Sequence, residues 1–213
     1  MPGDGEEPDV LQGAGAQRVR LKERMATSWR SALVFAHLLA APAAATEVAG
    51  VALADEIRVG GHALVLNGAG VGSKMFFKIY VGSLYVPHKV ADVDGVFERG
   101  PRRIQMNFLR DLTVKQLVSA LVGGLNANNS AGELAAITAP TEELLRIMKR
   151  FGDLDVRDKD VLTLDFIDGA TRVSLNGQFG GAIPGDAFNR ALTRIWLGDK
   201  PAHRGLKKAM LGG

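Results

Sequence analysis

The chain has 213 residues, of which 46% are apolar and 23% charged, with a net charge of +3 and no cysteine. This composition is that of a folded globular protein and excludes wholesale disorder. The absence of cysteine excludes disulfides, a thiol nucleophile and cysteine-ligated metal centres. The small, dispersed charge gives no support for a nucleic-acid partner. No stretch reaches the roughly 20 apolar residues that a membrane-spanning helix needs.

The N-terminal segment predicts an export signal. Residues 1–24 are polar, glycine-rich and aperiodic, which is typical of a disordered extension or of a start codon assigned too far upstream. From Met25 onward, a positive charge is followed by a short apolar run and by small residues that end at Ala45. This order predicts a signal peptide over residues 25–45 that is cleaved near Ala45, with a short core helix as the alternative. We therefore expect a periplasmic or secreted domain over residues 46–213.

The first part of this domain has the pattern of strands. Two glycines between Glu56–Val59 and Ala63–Asn67 predict a hairpin. Gly68–Gly70 is interpreted as a turn rather than as a dinucleotide fingerprint, because the third glycine of that motif is missing. Residues Lys74–Val86 alternate strongly and predict one long strand, with a continuous apolar face that begins at Met75 and a mixed face on the other side.

The second part mixes helices and strands. Thr113 and Gln116 have the spacing of a capping box, which predicts a helix that Gly123-Gly124 and Asn126–Asn129 would end. The remaining predicted elements are a strand over Arg103–Leu109, helices over Thr141–Phe151 and Asp186–Leu197, a hairpin of Val161–Ile167 with Thr171–Leu175, and a short helix over Leu206–Leu211. The order of strands, helices, strands and helix predicts an α+β fold in which a large antiparallel sheet carries a layer of helices on one face.

The candidate binding group lies on the long predicted strand. Lys74, Lys78 and Tyr80 share its mixed face, with Tyr85 nearby, and two cations and a phenol could hold a carboxylate by charge-assisted hydrogen bonds. The alternative is a half-exposed sheet face with snorkelling lysines. His88 follows the strand and is either a surface residue or a ligand to haem iron. The usual hydrolase, metalloprotease and P-loop motifs do not occur, and no cofactor is expected.

Five segments stand out in order along the chain: LNGAGV at Leu66–Val71, the strand Lys74–Tyr85, Arg103–Leu109, NGQFGGAIPG at Asn176–Gly185 and FNRALTRIWLGDKP at Phe188–Pro201. With these segments the chain resembles the bacterial chalcone isomerase-like family, from about Val48 to Leu211. The resemblance implies an open-faced β-sandwich, in which a large antiparallel sheet is covered by helices with a ligand cleft between them. It also implies one of three activities: cyclisation of chalcones, binding of fatty acids, or binding of haem.

The family's cyclising residues carry over poorly to this sequence. The resemblance implies an arginine at or near Gly72 and polar groups near Tyr80, Thr113, Ala120 and Ile195. Glycine, alanine and isoleucine side chains cannot donate a hydrogen bond, and losing one oxyanion donor typically lowers the rate by about 10²–10³. Efficient chalcone cyclisation is therefore not expected, and Tyr80 is the tentative catalytic group of any other isomerase.

The sequence thus predicts a protein that binds a small amphipathic carboxylate such as a fatty acid. The predicted ligand-binding residues are Lys74, Lys78, Tyr80, Tyr85 and Thr113. An isomerase or intramolecular lyase with another substrate is the first alternative, and a haem-binding protein with His88 as the iron ligand is the second. A structural or partner-binding role with an occluded cleft also stays open.

Overall fold

The computed structural model of the chain describes residues 45–98, 100–151 and 155–213. All of the predicted signal peptide except Ala45 lies outside these residues. The strands are β1 (Ala45–Val48), β2 (Val51–Ala54), β3 (Glu56–Val59), β4 (His62–Lys74), β5 (Phe77–Val86), β6 (Arg102–Phe108), β7 (Val161–Ile167), β8 (Ala170–Leu175) and β9 (Gln178–Pro184). The helices are α1 (Val93–Glu98), α2 (Val114–Asn128), α3 (Ala131–Ala136), α4 (Thr138–Arg150), α5 (Asp186–Leu197) and α6 (Arg204–Met210). Within the described ranges, no helix is both long enough and apolar enough to cross a membrane.

The strands β3 to β9 form one seven-stranded sheet in chain order, and each strand is antiparallel to its neighbour. The strands β1 and β2 form a separate hairpin. Helices α2, α4, α5 and α6 contribute buried apolar residues to a core that they share with the sheet. This architecture confirms the predicted α+β fold of a large antiparallel sheet with helices.

Successive residues of β5 belong to two different cores, as the period of a strand requires. Tyr80 and Leu84 pack with the helices in the larger core. Val81 and Tyr85 pack in a smaller core with Leu53 of β2. The two tyrosines therefore lie on opposite faces of the sheet.

The prediction of one strand over Lys74–Val86 is wrong. The chain reverses at Met75 and Phe76, so that Lys74 at the end of β4 pairs with Phe77 at the start of β5. Met75 has a φ of +55°, in the left-handed region that turns use. This reversal consists of two large apolar residues and lacks the glycine, asparagine or proline that marks most turns. The alternation of apolar and polar residues therefore gives no sign that the strand ends here.

Two glycine predictions are also wrong, and in both cases another element packs on the glycine. Gly68 and Gly70 lie inside β4 rather than in a turn, because α6 crosses the strand there and a Cβ on either residue would contact Ala209. The pair Gly123-Gly124 lies inside α2, which ends at Asn128, within the predicted segment Asn126–Asn129. A Cβ on Gly124 would lie 2.6 Å from Cγ2 of Ile195 on α5.

The capping box at the start of α2 is confirmed. The backbone N–H of Gln116 donates to Oγ1 of Thr113 at 3.1 Å, and the backbone N–H of Thr113 donates to Oε1 of Gln116 at 3.0 Å. Asn67 on β4 links two other segments to its strand. Its Nδ2 donates to the carbonyl oxygen of Val90 at 3.0 Å and to that of Met210, at the end of α6, at 2.7 Å. This link holds the end of α6 and the loop after β5 against β4.

Candidate functional site

A cavity of about 540 Å³ lies between the sheet and α2, next to the β4–β5 turn. Its walls come from β5, β6, α2 and the loop before α6, and its lining is mainly apolar. The lining residues are Lys74, Met75, Phe77, Ile79, Tyr80, Met106, Phe108, Arg110, Asp111, Leu112, Gln116, Leu117, Ala120, Ala202 and His203. Mainly apolar walls with a few polar groups are typical of sites for small organic ligands.

Tyr80 supplies a neutral hydrogen-bond donor to the cavity. Only 9% of the residue is exposed, and Nε1 of Trp196 donates to its hydroxyl oxygen at 3.1 Å. Burial raises the pKa of Tyr80 to about 12, so the hydroxyl keeps its proton at neutral pH. The hydrogen bond from Trp196 occupies a lone pair of the oxygen, and no hydrogen bond donated by the hydroxyl occurs among the described residues. The proton of this hydroxyl is therefore available to a ligand.

The missing side chain of Gly72 explains the position of the Tyr80 ring. Gly72 and Tyr80 are partners across β4 and β5. A Cβ at Gly72 would lie 2.5 Å from Cζ and 2.6 Å from Cε1 of Tyr80, so the ring covers the glycine. Where the family resemblance implies an arginine, this chain therefore has the phenol of the neighbouring strand.

His203 forms part of the cavity wall beside Tyr80. The residue is half-buried, and its ring meets the Tyr80 ring edge-on with 6.1 Å between the ring centroids. Burial lowers the pKa of His203, which keeps the imidazole neutral at neutral pH. The fold brings this histidine to the cavity because α6 and its preceding loop return to β4.

The charged groups of the lining give the cavity a basic character. The lining contains two cations, Lys74 and Arg110, and one carboxylate, Asp111. The formal charge of these three groups together is therefore +1. The guanidinium of Arg110 lies over the ring of Phe77, 4.5 Å from its centroid. This stacking orients Arg110 next to the turn while leaving its hydrogen-bond donors available to an anion.

The structure brings together some of the predicted ligand-binding residues and separates the others. Lys74 and Tyr80 both line the cavity, whereas Lys78 is exposed and does not. Tyr85 lies on the opposite face of the sheet. The hydroxyl of Thr113 caps α2, and its helix contributes Gln116 and Leu117 to the lining instead.

The residues at the remaining family positions offer no polar group to a ligand. Ala120 lines the cavity with a methyl group, and Ile195 is buried in the core, where it packs against Gly124. His88 is exposed in the loop after β5 and belongs to neither cavity wall nor core. An axial haem ligand has to face a pocket that holds the macrocycle, so His88 does not fit this role.

Sequence reasoning missed most residues of the cavity lining, among them the polar residues Arg110 and His203. A weak signal exists for Arg110, which follows the predicted strand Arg103–Leu109 directly, since a cation just past the end of a strand lies at the edge of the sheet. No local signal exists for His203, because its position depends on how α6 docks on β4, more than 130 residues earlier in the chain.

Comparisons with known proteins agree with the fold of the chain. A family model described as chalcone isomerase-like matches residues 45–212. Among solved structures, the chain is similar to the crystal structure of a fatty-acid binding protein from Arabidopsis thaliana, with a TM-score of 0.56 and 15% sequence identity over 76% of this chain and 92% of that one. The search of curated proteins gives no match. At this identity the structural likeness establishes the fold alone.

Proposed function

Because the chain belongs to the chalcone isomerase-like family, we propose that it binds a small amphipathic carboxylate, such as a fatty acid, in the cavity beside Tyr80. The observation that carries the proposal is the cavity itself, which combines about 540 Å³ of mainly apolar space with two cations and one neutral donor. A volume of this size falls within the roughly 300–1,000 Å³ of ordinary ligand pockets. The fatty-acid binding of the plant structural relative supports the same ligand class.

The three polar groups have different parts in this proposal. Lys74 and Arg110 attract the carboxylate, and Arg110 can hold it with two parallel hydrogen bonds. The alkyl or aryl part of the ligand lies against Met106, Phe108 and the helix α2. The Tyr80 hydroxyl donates to a ligand oxygen that enters the cavity, which gives its unused proton an acceptor.

The test is a titration of the protein with saturated fatty acids of increasing chain length, and with the alcohols of the same lengths. The double variant Lys74→Gln, Arg110→Gln should bind the acids at least tenfold more weakly, since a hydrogen bond to a charged group contributes about 1.5–3 kcal/mol. Its affinity for the alcohols should change little. Lys78→Gln is the matched control, because this lysine is exposed and lies outside the cavity lining.

Two results would contradict the proposal. The first is that no fatty acid of any length binds to the unchanged protein. The second is that the Lys78→Gln control and the double variant weaken the acids equally, since binding would then depend on general positive charge rather than on the cavity.

An isomerase is the second candidate, and only Tyr80 supports it. A hydroxyl with a pKa of about 12 suits donation to a developing oxyanion better than abstraction of a proton at neutral pH. Gly72, Ala120 and Ile195 add no further donors, so we expect no acceleration of chalcone closure above the rate in buffer. The measurement is the loss of chalcone absorbance with time, and a rate that falls on Tyr80→Phe would overturn this expectation.

We also propose that the protein acts in the periplasm after removal of its N-terminal segment near Ala45, as the charge and hydropathy order of residues 25–45 predicts. N-terminal sequencing of the protein from a periplasmic extract should begin at or next to Thr46. A full-length chain that stays in the cytoplasmic fraction would contradict this.

A further inference from the structure

The β4–β5 turn carries a projecting group of large apolar side chains. Met75 is 82% exposed, Phe76 95% and Phe77 57%. We call these three residues the apolar tip. In the part of the chain that the structure describes, Phe179 on β9 is the one other large hydrophobic residue exposed to this degree. Three consecutive exposed side chains of this size are unfavourable in water, and such a group marks a surface that contacts something else.

Cations surround the apolar tip. Lys74 and Lys78 flank it in the sequence, and both are exposed. Arg110 stacks on Phe77. None of these three cations forms an ion pair with a described residue, although Asp111 also lies at the cavity. The turn thus combines an apolar end with a cationic base.

We propose that the apolar tip inserts into the surface of an anionic lipid bilayer. Phenylalanine and methionine side chains partition favourably into the boundary between headgroups and acyl chains. The flanking lysines remain at headgroup level, where their long stems can reach anionic lipids. The order Lys74, tip, Lys78 puts the charges on both sides of the inserting residues, as this geometry requires.

A stable protein partner fits the apolar tip less well. Large apolar side chains bury roughly 150–250 Å² each, so three of them remain below the roughly 800 Å² per partner of a standard protein interface. The tip also projects at a two-residue reversal, whereas stable partners bury broader surfaces. A bilayer accepts a small projecting group because lipids rearrange around it.

Insertion of the tip would also bring the cavity to the bilayer from which its ligand comes. This transfer of the ligand rests on the proposed function. Lys74, Met75 and Phe77 belong to both the turn and the cavity lining. A docked protein would therefore present its cavity to the bilayer, and an amphipathic carboxylate could pass between the two without crossing water.

The first experiment measures the environment of the tip, using the processed chain Thr46–Gly213 without added fatty acid. Phe76→Trp places a fluorophore at the most exposed residue of the tip, and Phe179→Trp is the matched control on β9. With vesicles of phosphatidylcholine and phosphatidylglycerol, the emission of Phe76→Trp should shift to the blue and resist an aqueous quencher. The emission of Phe179→Trp should not change. Equal behaviour of the two variants, with or without a shift, would overturn the proposal.

The second experiment measures binding by co-sedimentation with the same vesicles and with pure phosphatidylcholine vesicles. The double variant Phe76→Ser, Lys78→Gln, whose positions lie outside the cavity lining, should bind anionic vesicles at least tenfold more weakly than Phe179→Ser. Added salt should weaken binding, as the flanking lysines require. A concentration-dependent dimer that Phe76→Ser dissociates would instead identify a second copy as the partner and overturn the proposal.

The two proposals fail separately. The variant Phe76→Ser, Lys78→Gln should keep its affinity for soluble fatty acid, while Lys74→Gln, Arg110→Gln tests the cavity. Vesicle binding without fatty-acid binding would refute the proposed function and retain the membrane tip. Fatty-acid binding without vesicle binding would refute the tip and retain the proposed function.

Discussion

Gly72→Ala is the sharpest single test of how the cavity wall is built. The backbone of Gly72 does not require glycine, because its φ is not in the positive region. The added methyl group would lie 2.5 Å from Cζ of Tyr80, which is closer than real Cβ contacts. The ring therefore has to move, and the hydrogen bond that its hydroxyl accepts from Trp196 is lost or lengthened.

The expected effect is the sum of three contributions. Overpacking a filled site costs about 1–3 kcal/mol. Leaving the buried N–H of Trp196 without an acceptor costs about 1–3 kcal/mol. Replacing glycine by alanine in a compatible conformation returns about 0.4–1 kcal/mol through the unfolded chain. The net expectation is a free energy of unfolding that is lower by about 1–6 kcal/mol.

A double-mutant cycle measured by urea unfolding separates this mechanism from a general effect of the substitution. In a Tyr80→Leu background the ring is absent, so Gly72→Ala should change stability by less than about 1 kcal/mol. Gly123→Ala is a control for the alanine methyl group, because no atom lies within 4 Å of the added carbon. If the effects of Gly72→Ala and Tyr80→Leu add to within about 0.5 kcal/mol, the ring does not rest on the glycine and the reasoning is refuted.

Three further predictions concern packing and titration. Gly123→Ala should raise the free energy of unfolding by about 1 kcal/mol. Gly124→Ala should lower it, because the new Cβ would lie 2.6 Å from Ile195. Equal shifts of the urea midpoint in the two variants would contradict the packing of α2 on α5. Burial raises the pKa of both tyrosines, that of Tyr80 to about 12, so an absorbance titration should show no phenolate step at the ordinary value of 10 while the protein stays folded. Hydrogen bonds from the Ser130 backbone and from Arg194 lower the pKa of Glu133 from 4.5 to about 2, so its stabilisation is complete above pH 4.5 and is lost as the pH falls through 2. Glu133→Gln should therefore lower the urea midpoint at pH 7 but not at pH 2. If the variant has the same deficit relative to the unchanged protein at both pH values, the hydrogen bonds of the Glu133 carboxylate do not account for its effect.

The fold was largely predictable because most elements carry their own signals. The capping box at Thr113 and the alternation of β7 and β8 across Asp168-Gly169 depend on residues close in the chain. The strand β9 carries no clear signal of its own, because Gly180 and Gly181 interrupt its alternation. The structure shows why they are there: a Cβ on either glycine would collide with Ile147 of α4.

The cavity was less predictable, because its residues come together through packing between distant elements. Lys74 and Tyr80 were singled out together, but on one strand rather than across a turn. The lysine at position 78 shares their chemistry and their sequence neighbourhood, yet it lies outside the cavity. Spacing of two residues assigns a face only where the strand pairing is regular, and a register shift between Lys78 and Tyr80, opposite Ser73 and Gly72, removes that condition.

The covering of Gly72 by Tyr80 restricts how this site can change in evolution. An arginine at position 72 and a phenol in the present place exclude each other, because they need the same volume. A single substitution to arginine would displace the ring and leave the indole of Trp196 without its acceptor. A change from a phenol-lined site to one with a guanidinium therefore needs at least two coupled substitutions with a destabilised intermediate. Positions 72 and 80 are therefore coupled in this chain, and the side chain that either one can carry depends on the size of the other.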